Sequence, residues 1–292
     1  MRVVRGSWTR RWGRSARIGT LFRGGIGLDE DYGVRVFGGL HFFWVCGGAG
    51  AGDSCCRACS CSCCRALTGC RYGERDGSDA GEADDWPQLE RYQADNAALA
   101  PVADGERRVV FYGDSITDGW RGWTGAGEFF PGKPYVNRGI SGQTTAQMVV
   151  RFRQDVVNLH PQAVIILAGT NDVARNTGPM TPQMTEDNWK SMADIAKENG
   201  IRVIFASILP ARDFPWRKGL EPAPKIKLLN SWLSGYCLNH SFTYLDYYSA
   251  MADPDGGMRQ GLSTDGVHPN DAGYAIMGPL AQAAIDKTLG GK

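Results

Sequence analysis

The sequence predicts an α/β fold, a three-layer sandwich in which helices cover both faces of a five-stranded parallel sheet. Two observations carry this. From residue 108 onward, short apolar runs bounded by Gly, Pro or polar residues alternate with longer segments whose apolar residues recur every three or four positions. Strands separated by helices run parallel, because a parallel neighbour needs a crossover of about a dozen residues, and such a sheet must be covered on both sides.

The strands are expected at 108–112, 135–138, 163–168, 202–207 and 242–246, and the helices at 144–159, 184–199, 225–239 and 272–289. Gly200 fits a helix stop. Residues 86–99 carry Leu89, Tyr92, Ala97 and Leu99 near helical spacing, which predicts a short helix packed on the domain and ended before Pro101.

Four segments carry chemistry. The apolar run Val109-Val110-Phe111-Tyr112 stops at Gly113-Asp114-Ser115, the pattern of a buried strand delivering a serine at its C-terminal end. Near the chain's end Asp265-Gly266-Val267-His268 places a carboxylate three residues before an imidazole. A histidine general base needs such a carboxylate to fix its tautomer and to stabilise the imidazolium. Between them, Asn137-Arg138-Gly139-Ile140-Ser141-Gly142 follows the second strand, and Gly169-Thr170-Asn171-Asp172 follows the third. Gly142 suits a backbone N–H that must turn toward a substrate, since it lacks a Cβ. Asn171 supplies a neutral donor that can be buried more cheaply than a charged one.

This order of Gly-Asp-Ser, Gly, Gly-x-Asn-Asp and Asp-x-x-His closely resembles the SGNH (GDSL) hydrolase superfamily over about residues 107–289. The resemblance implies Ser115 as nucleophile, His268 as general base, Asp265 as its orienter, and an oxyanion hole from the Ser115 and Gly142 amides plus the Asn171 side chain. It also implies a flavodoxin-like strand order, 2-1-3-4-5. In such a sheet, ligands bind outside the carboxyl ends of the strands, where Ser115, Gly142 and Asn171 are all expected. An α/β-hydrolase is the competing serine esterase fold, but no Gly-x-Ser-x-Gly elbow occurs in the chain.

The neighbouring polar residues read differently. Asp114, Asp118 and Asp172 are expected to brace loops, and Ser141 is a weaker nucleophile because no long strand precedes it. His160 and His240 look like helix-terminal residues, where a helix dipole favours an imidazole. Trp120, Arg121, Trp123, Phe129 and Phe130 after the nucleophile, with Pro210, Phe214, Pro215 and Trp216 after the fourth strand, are expected either to wall the cleft or to anchor loops in the core. A short-chain carboxylester is the expected substrate, with O-acetylated carbohydrate ahead of lysophospholipid or thioester. The alternative from another class is a catalytically silent carbohydrate-binding protein on the same fold. No cofactor or metal is expected in this domain.

Composition divides the chain at about residue 86. Residues 1–85 are Arg-rich, then Gly-rich, then hold eight of the nine cysteines (Cys46, Cys55, Cys56, Cys59, Cys61, Cys63, Cys64, Cys70), with Glu82, Asp84 and Asp85 at the end. No helix or strand period is sustained there. A disordered or non-native leader is the preferred reading, including a misassigned start, ahead of a disulfide knot or a zinc site; adjacent Cys-Cys pairs crowd metal ligands badly. Arg10-Arg11 lacks the apolar core of a twin-arginine signal. Residues 36–45 followed by Ala49-Gly50-Ala51 resemble a weak secretory signal, too short to span a bilayer. A secreted or periplasmic location is therefore favoured over the cytoplasm. A formal net charge of +1 supplies no field for nucleic acid. Sequence leaves the oligomeric state open.

Overall fold

The structure, a computed structural model, describes residues 85–121 and 128–290, with Arg121 described in its backbone only. The leader cysteines, Arg10-Arg11, the stretch 36–45 and Trp123 lie outside the described residues.

Five parallel strands form one sheet: β1 Val109–Gly113, β2 Tyr135–Gly139, β3 Ala163–Leu167, β4 Arg202–Ala206 and β5 Thr243–Leu245. Their order is β2-β1-β3-β4-β5, as the resemblance implies. Register aligns the strand ends, Gly113 lying opposite both Gly139 and Leu167. The loops that leave β1, β2 and β3 therefore emerge side by side.

Strand alternation sorts the core into two layers. Val110, Tyr112, Val164, Ile166, Val203 and Phe205 face a cluster supplied by α3 (Thr145–Asp155), α5 (Pro182–Glu198) and α6 (Pro222–His240). Val109, Phe111, Ile165, Leu167, Ile204 and Ala206 face the other cluster, supplied by α7 (Tyr247–Met251) and α8 (Asp271–Leu289). Each fully buried large side chain contributes about 1.5–3 kcal/mol. Because every residue of β1 and β3 is buried, these strands read as continuous apolar runs.

Boundaries moved where caps and prolines decide them. Helix α5 begins two residues earlier than expected because Thr181 accepts a hydrogen bond from Met184 N at 3.2 Å and Pro182 occupies the first turn. Helix α6 likewise starts at Pro222. The helix expected at 144–159 ends at Asp155 and continues as a 3-10 turn, Val157–Leu159, closed by His160 in the left-handed region at φ 50°. The helix expected at 86–99 is a 3-10 turn, Leu89–Tyr92, followed by α1 (Gln93–Ala98).

That first segment is stitched to the site end of the sheet. Asp85, grouped by composition with the leader, accepts from Leu89 N at 2.8 Å and Glu90 N at 3.0 Å and so caps the first turn. Tyr92 is buried and donates its hydroxyl to Gly139 O. Gln143 and Gln147 each donate 2.7 Å bonds back to the Pro87 and Trp86 carbonyls.

A buried arginine ties the strand ends together. Arg151, fully enclosed, donates 3.0 Å bonds to Gly113 O, Arg138 O and the Asp155 carboxylate, donates to Gln143, and lies 4.2 Å over the Tyr112 ring. Its charge is thus fully compensated where water cannot reach it.

Candidate active site

Strand β1 ends at Gly113, and the chain turns at once into α2 (Ser115–Asp118). Asp114 is the N-cap, its carboxylate accepting from Ile116 N at 3.0 Å. Ser115 is thereby the first helical residue, its hydroxyl at the mouth of the sheet. Tight packing holds this turn: a Cβ at Gly139 would overlap the Asp118 backbone nitrogen, so β2 can approach only as glycine. Asn137 donates to Thr117 O at 2.6 Å, and Tyr274 of α8 donates to Ile116 O at 2.8 Å.

The structure brings Ser115, His268 and Asp265 into one line. Ser115 Oγ lies 2.9 Å from His268 Nε2, and His268 Nδ1 lies 2.7 Å from Asp265 Oδ2. An ionised carboxylate only accepts, so Nδ1 carries the proton and Nε2 is left to accept the serine hydroxyl. The Asp265 turn is organised for this: its other oxygen accepts from Val267 N at 2.9 Å and His268 N at 2.8 Å. Burial pushes the Asp265 carboxyl up, but the His268 side-chain bond and these backbone bonds outweigh it and hold the group at about 2. Asp114 behaves oppositely; burial, only partly offset by the Ile116 N–H, raises it to about 6.

Gly142 and Asn171 come to the same place. Gly142 sits at φ 79°, a conformation that glycine adopts without penalty, whereas its missing Cβ would meet nothing closer than Asn176 at 4.0 Å. Backbone freedom, not close packing, is what this position requires. Among the described residues neither the Ser115 nor the Gly142 backbone N–H has a hydrogen-bond partner. Asn171, on the short α4 (Thr170–Val173), donates to Gln143 O at 3.0 Å, which aims its amide, and makes a longer 3.3 Å contact with Asp114 Oδ2. Asp172 braces the two loops against each other, accepting from Thr145 N at 3.0 Å, from the Thr145 hydroxyl and from Thr185.

The cleft over these groups measures about 210 Å³ and is lined by Ser115, Ser141, Gly142, Asn171, Asn176, Trp216 and His268. A larger cavity of about 450 Å³ is lined by Arg212, Phe214, Lys218, Met258 and Asp265 and does not include Ser115. Of the expected aromatic walls, Trp216 lines the cleft and is 44% exposed. Trp120 does not. It is buried against Phe111, Phe129, Phe130 and Tyr274, where it packs beneath the turn that carries Ser115, and Phe214 is buried under Trp216.

Residues 111–276 match the GDSL-like lipase/acylhydrolase family, a span of more than half the chain that holds all four chemical segments. The chain belongs to this family. Its members among solved structures include a GDSL-like lipase from Bacteroides thetaiotaomicron, 45% identical, covering 69% of this chain and 98% of that one at a TM-score of 0.66. A protein assigned as an acylhydrolase from Bacteroides fragilis is 44% identical, covering 70% and 98% at a TM-score of 0.68. An acetylxylan esterase from Geobacillus stearothermophilus, 22% identical over 64% of this chain and 96% of that one at a TM-score of 0.50, shares the fold. A Bacillus subtilis protein named as the uncharacterized lipoprotein YqeF is 27% identical over 128 residues, and the match spans 44% of its length. As a GDSL-like acylhydrolase the chain is a hydrolase of ester bonds.

Sequence reasoning missed Asn176, Asn137 and Arg151 at this end of the GDSL-like fold. Asn176 follows the Gly-Thr-Asn-Asp segment in a stretch without periodicity, and only the turn geometry brings it back over Asn171. Arg151 carried a faint signal: a charge on the apolar face of a helix with Asp155 four residues on. Among the described residues no group of His, Cys, Asp or Glu is arranged to hold a metal ion, and no helix is long and apolar enough to cross a membrane.

Proposed function

We propose that this chain hydrolyses short-chain carboxylesters, acetyl esters foremost, through Ser115, with O-acetylated carbohydrate as the natural substrate class. The observation that carries the reading is the unbroken relay from Ser115 Oγ to His268 Nε2 at 2.9 Å and from His268 Nδ1 to Asp265 at 2.7 Å. Ser115 Oγ attacks the ester carbonyl while its proton passes to Nε2. The tetrahedral oxyanion is received by the Ser115 and Gly142 N–H groups and by the Asn171 amide, whose long contact to Asp114 it replaces. Collapse expels the alcohol, which takes the proton from Nε2, and water attacks the acyl-serine by the same route in reverse.

The preference for short acyl groups rests on size. A cleft of about 210 Å³ is below the roughly 300–1,000 Å³ that usual ligand pockets occupy, so it suits an acetyl group and leaves the alcohol outside. Trp216 at the rim offers a flat apolar face to a sugar ring. The fold is also that of an acetylxylan esterase, which motivates the substrate class without transferring it. An exported location agrees with a relative named as a lipoprotein.

The test is a panel of 4-nitrophenyl esters from acetyl to palmitoyl beside acetylated xylan, with Ser115→Ala as control. Activity should peak between acetyl and butyryl and vanish in Ser115→Ala. An open apolar trench would instead gain about 0.8 kcal/mol per added methylene, so a maximum at long chains would overturn the short-ester reading.

A further inference from the structure

We propose that Asn176 is a positioning residue of the oxyanion hole, holding the Asn171 amide and the Gly142 peptide in register and tying both to the Trp216 wall. The inference rests on the proposed roles of Asn171 and Gly142. One side chain touches all three elements. Asn176 Nδ2 lies 2.7 Å from Asn171 Oδ1 and 3.2 Å from Gly142 O, and Asn176 Oδ1 accepts from Trp216 Nε1 at 3.2 Å.

The local fold explains why this residue arrives there. Helix α4 ends in a Schellman motif: Arg175 takes the left-handed conformation at φ 59°, Arg175 N donates to Asp172 O at 3.0 Å, and Asn176 N donates to Asn171 O at 3.0 Å. The motif places its final residue back over the helical residue five positions earlier. In many Schellman motifs an apolar contact fills that place. Here an amide-to-amide hydrogen bond does, and its polarity is informative. Because Asn176 donates to Asn171 Oδ1, the Asn171 amide cannot flip without setting two donors against each other. Its Nδ2 is thereby kept toward Gln143 O and the hole. The second donor bond holds the carbonyl of Gly142, the residue whose N–H is proposed to receive the oxyanion. Arg217 donates to Arg175 O, so the Trp216 segment is anchored to the same turn from both sides.

Removing such a support should act on the transition state. Misplacing catalytic donors by about 1 Å can lower turnover by roughly 10²-fold. With 4-nitrophenyl acetate, Asn176→Ala should lower kcat by up to about 10²-fold at nearly constant KM. Asn176→Asp should be at least as impaired, because an isosteric carboxylate cannot donate and adds charge beside the developing oxyanion. Trp216→Phe, which keeps an aromatic ring but removes the indole N–H and part of the ring's area, should lose no more than about tenfold with this small substrate, close to the worth of one neutral hydrogen bond.

The deciding measurement is the cycle with Asn171→Ala. If Asn176 works partly through Asn171, adding Asn176→Ala to Asn171→Ala should cost less than Asn176→Ala costs alone, the remainder being the support of the Gly142 peptide. Losses that multiply would overturn the proposal, as would an active Asn176→Asp, a rise in KM alone, or unimpaired Asn171→Ala. Failure of the underlying reading is separate: it would show as activity retained in Ser115→Ala, whereas a dead Ser115→Ala beside an unimpaired Asn176→Asp sinks only this inference.

Discussion

The Trp216 ring stands beside the His268 imidazole, centroids 5.8 Å apart and planes 38° from parallel, with Phe214 stacked beneath it at 5.2 Å. A wall supported in this way keeps its orientation while nearly half its surface stays open, so anything it holds sits next to the His268 imidazole. Among the described residues that line the cleft, Trp216 is the only aromatic carbocycle that the alcohol of an ester could meet.

Trp216→Ala should therefore separate two substrates. Stacking beyond simple burial is worth about 0.5–1.5 kcal/mol, so kcat/KM for an acetylated xylo-oligosaccharide should fall by up to about tenfold. For 4-nitrophenyl acetate the fall should be smaller, since less of that substrate extends over the wall. Equal losses on the two substrates would reduce Trp216 to a structural anchor.

The outlines of the site were legible in the sequence because chemistry there is spelled by local spacing. Gly113-Asp114-Ser115 at a strand end and Asp265 three residues before His268 each lie within one turn of chain, and the structure joins them across 153 positions. Strand and helix period likewise revealed the layers. What stayed hidden depended on long-range packing. Nothing local distinguishes Trp120, which faces the core, from Trp216, which faces the cleft; the difference is that Phe111, Phe129, Phe130 and Tyr274 close over the first ring. Asn176 was invisible for a related reason, since its role exists only once Arg175 turns the chain back. Asp85 was grouped with an acidic run by composition, although it caps the first described turn.

Stability should pass through a maximum near pH 4. Asp114 is raised to about 6 by burial from an ordinary 3.8, so the native state binds its proton more tightly than the unfolded chain does. Its stabilising contribution is complete below about pH 4 and is lost as pH rises through 6, an effect on the order of 3 kcal/mol. Asp172, also raised by burial, works in the same direction. Asp265, lowered to about 2, contributes stability that is present above about pH 4 and is lost as pH falls through 2; being a third exposed, it contributes less. Urea unfolding at a series of pH values should show greater stability at pH 5 than at pH 7.5, and Asp114→Asn should flatten that limb. A wild-type profile that rises from pH 5 to 7.5 would contradict the burial argument.

Arg151→Met should destabilise the domain by about 3–5 kcal/mol, because it leaves the Asp155 carboxylate buried without its cation. Asn96 still donates to that carboxylate at 2.8 Å, which softens the loss without replacing the charge. Adding Asp155→Leu should recover much of the stability, since two apolar groups need no compensation. Chemical denaturation of the single and double variants decides it: a double variant less stable than Arg151→Met would mean that the lost carbonyl contacts at Gly113 and Arg138 matter more than the orphaned charge.

Truncation should behave differently on either side of Asp85. Removing residues 1–84 should leave esterase activity and the thermal midpoint unchanged, because the first turn keeps its Asp85 cap and, among the described residues, every strand and core layer lies beyond it. Reductant should have no effect on that shortened chain; its one cysteine, Cys237, is buried and its thiol is pushed up to about 12, so it is neither paired nor reactive. Extending the deletion through Leu99 should cost several kcal/mol, comparable to emptying the site of one large buried side chain. It removes Tyr92, which is 1% exposed and bonded to Gly139 O, and Asn96, which donates to Asp155 and accepts from Arg138 at 2.7 Å. It also strips the Trp86 and Pro87 carbonyls from Gln147 and Gln143, on the loop that carries Gly142, so activity per folded molecule should fall with stability. Equal melting of the two shortened chains would show that residues 85–99 only decorate the domain, and a loss on removing 1–84 would show that the leader packs on it.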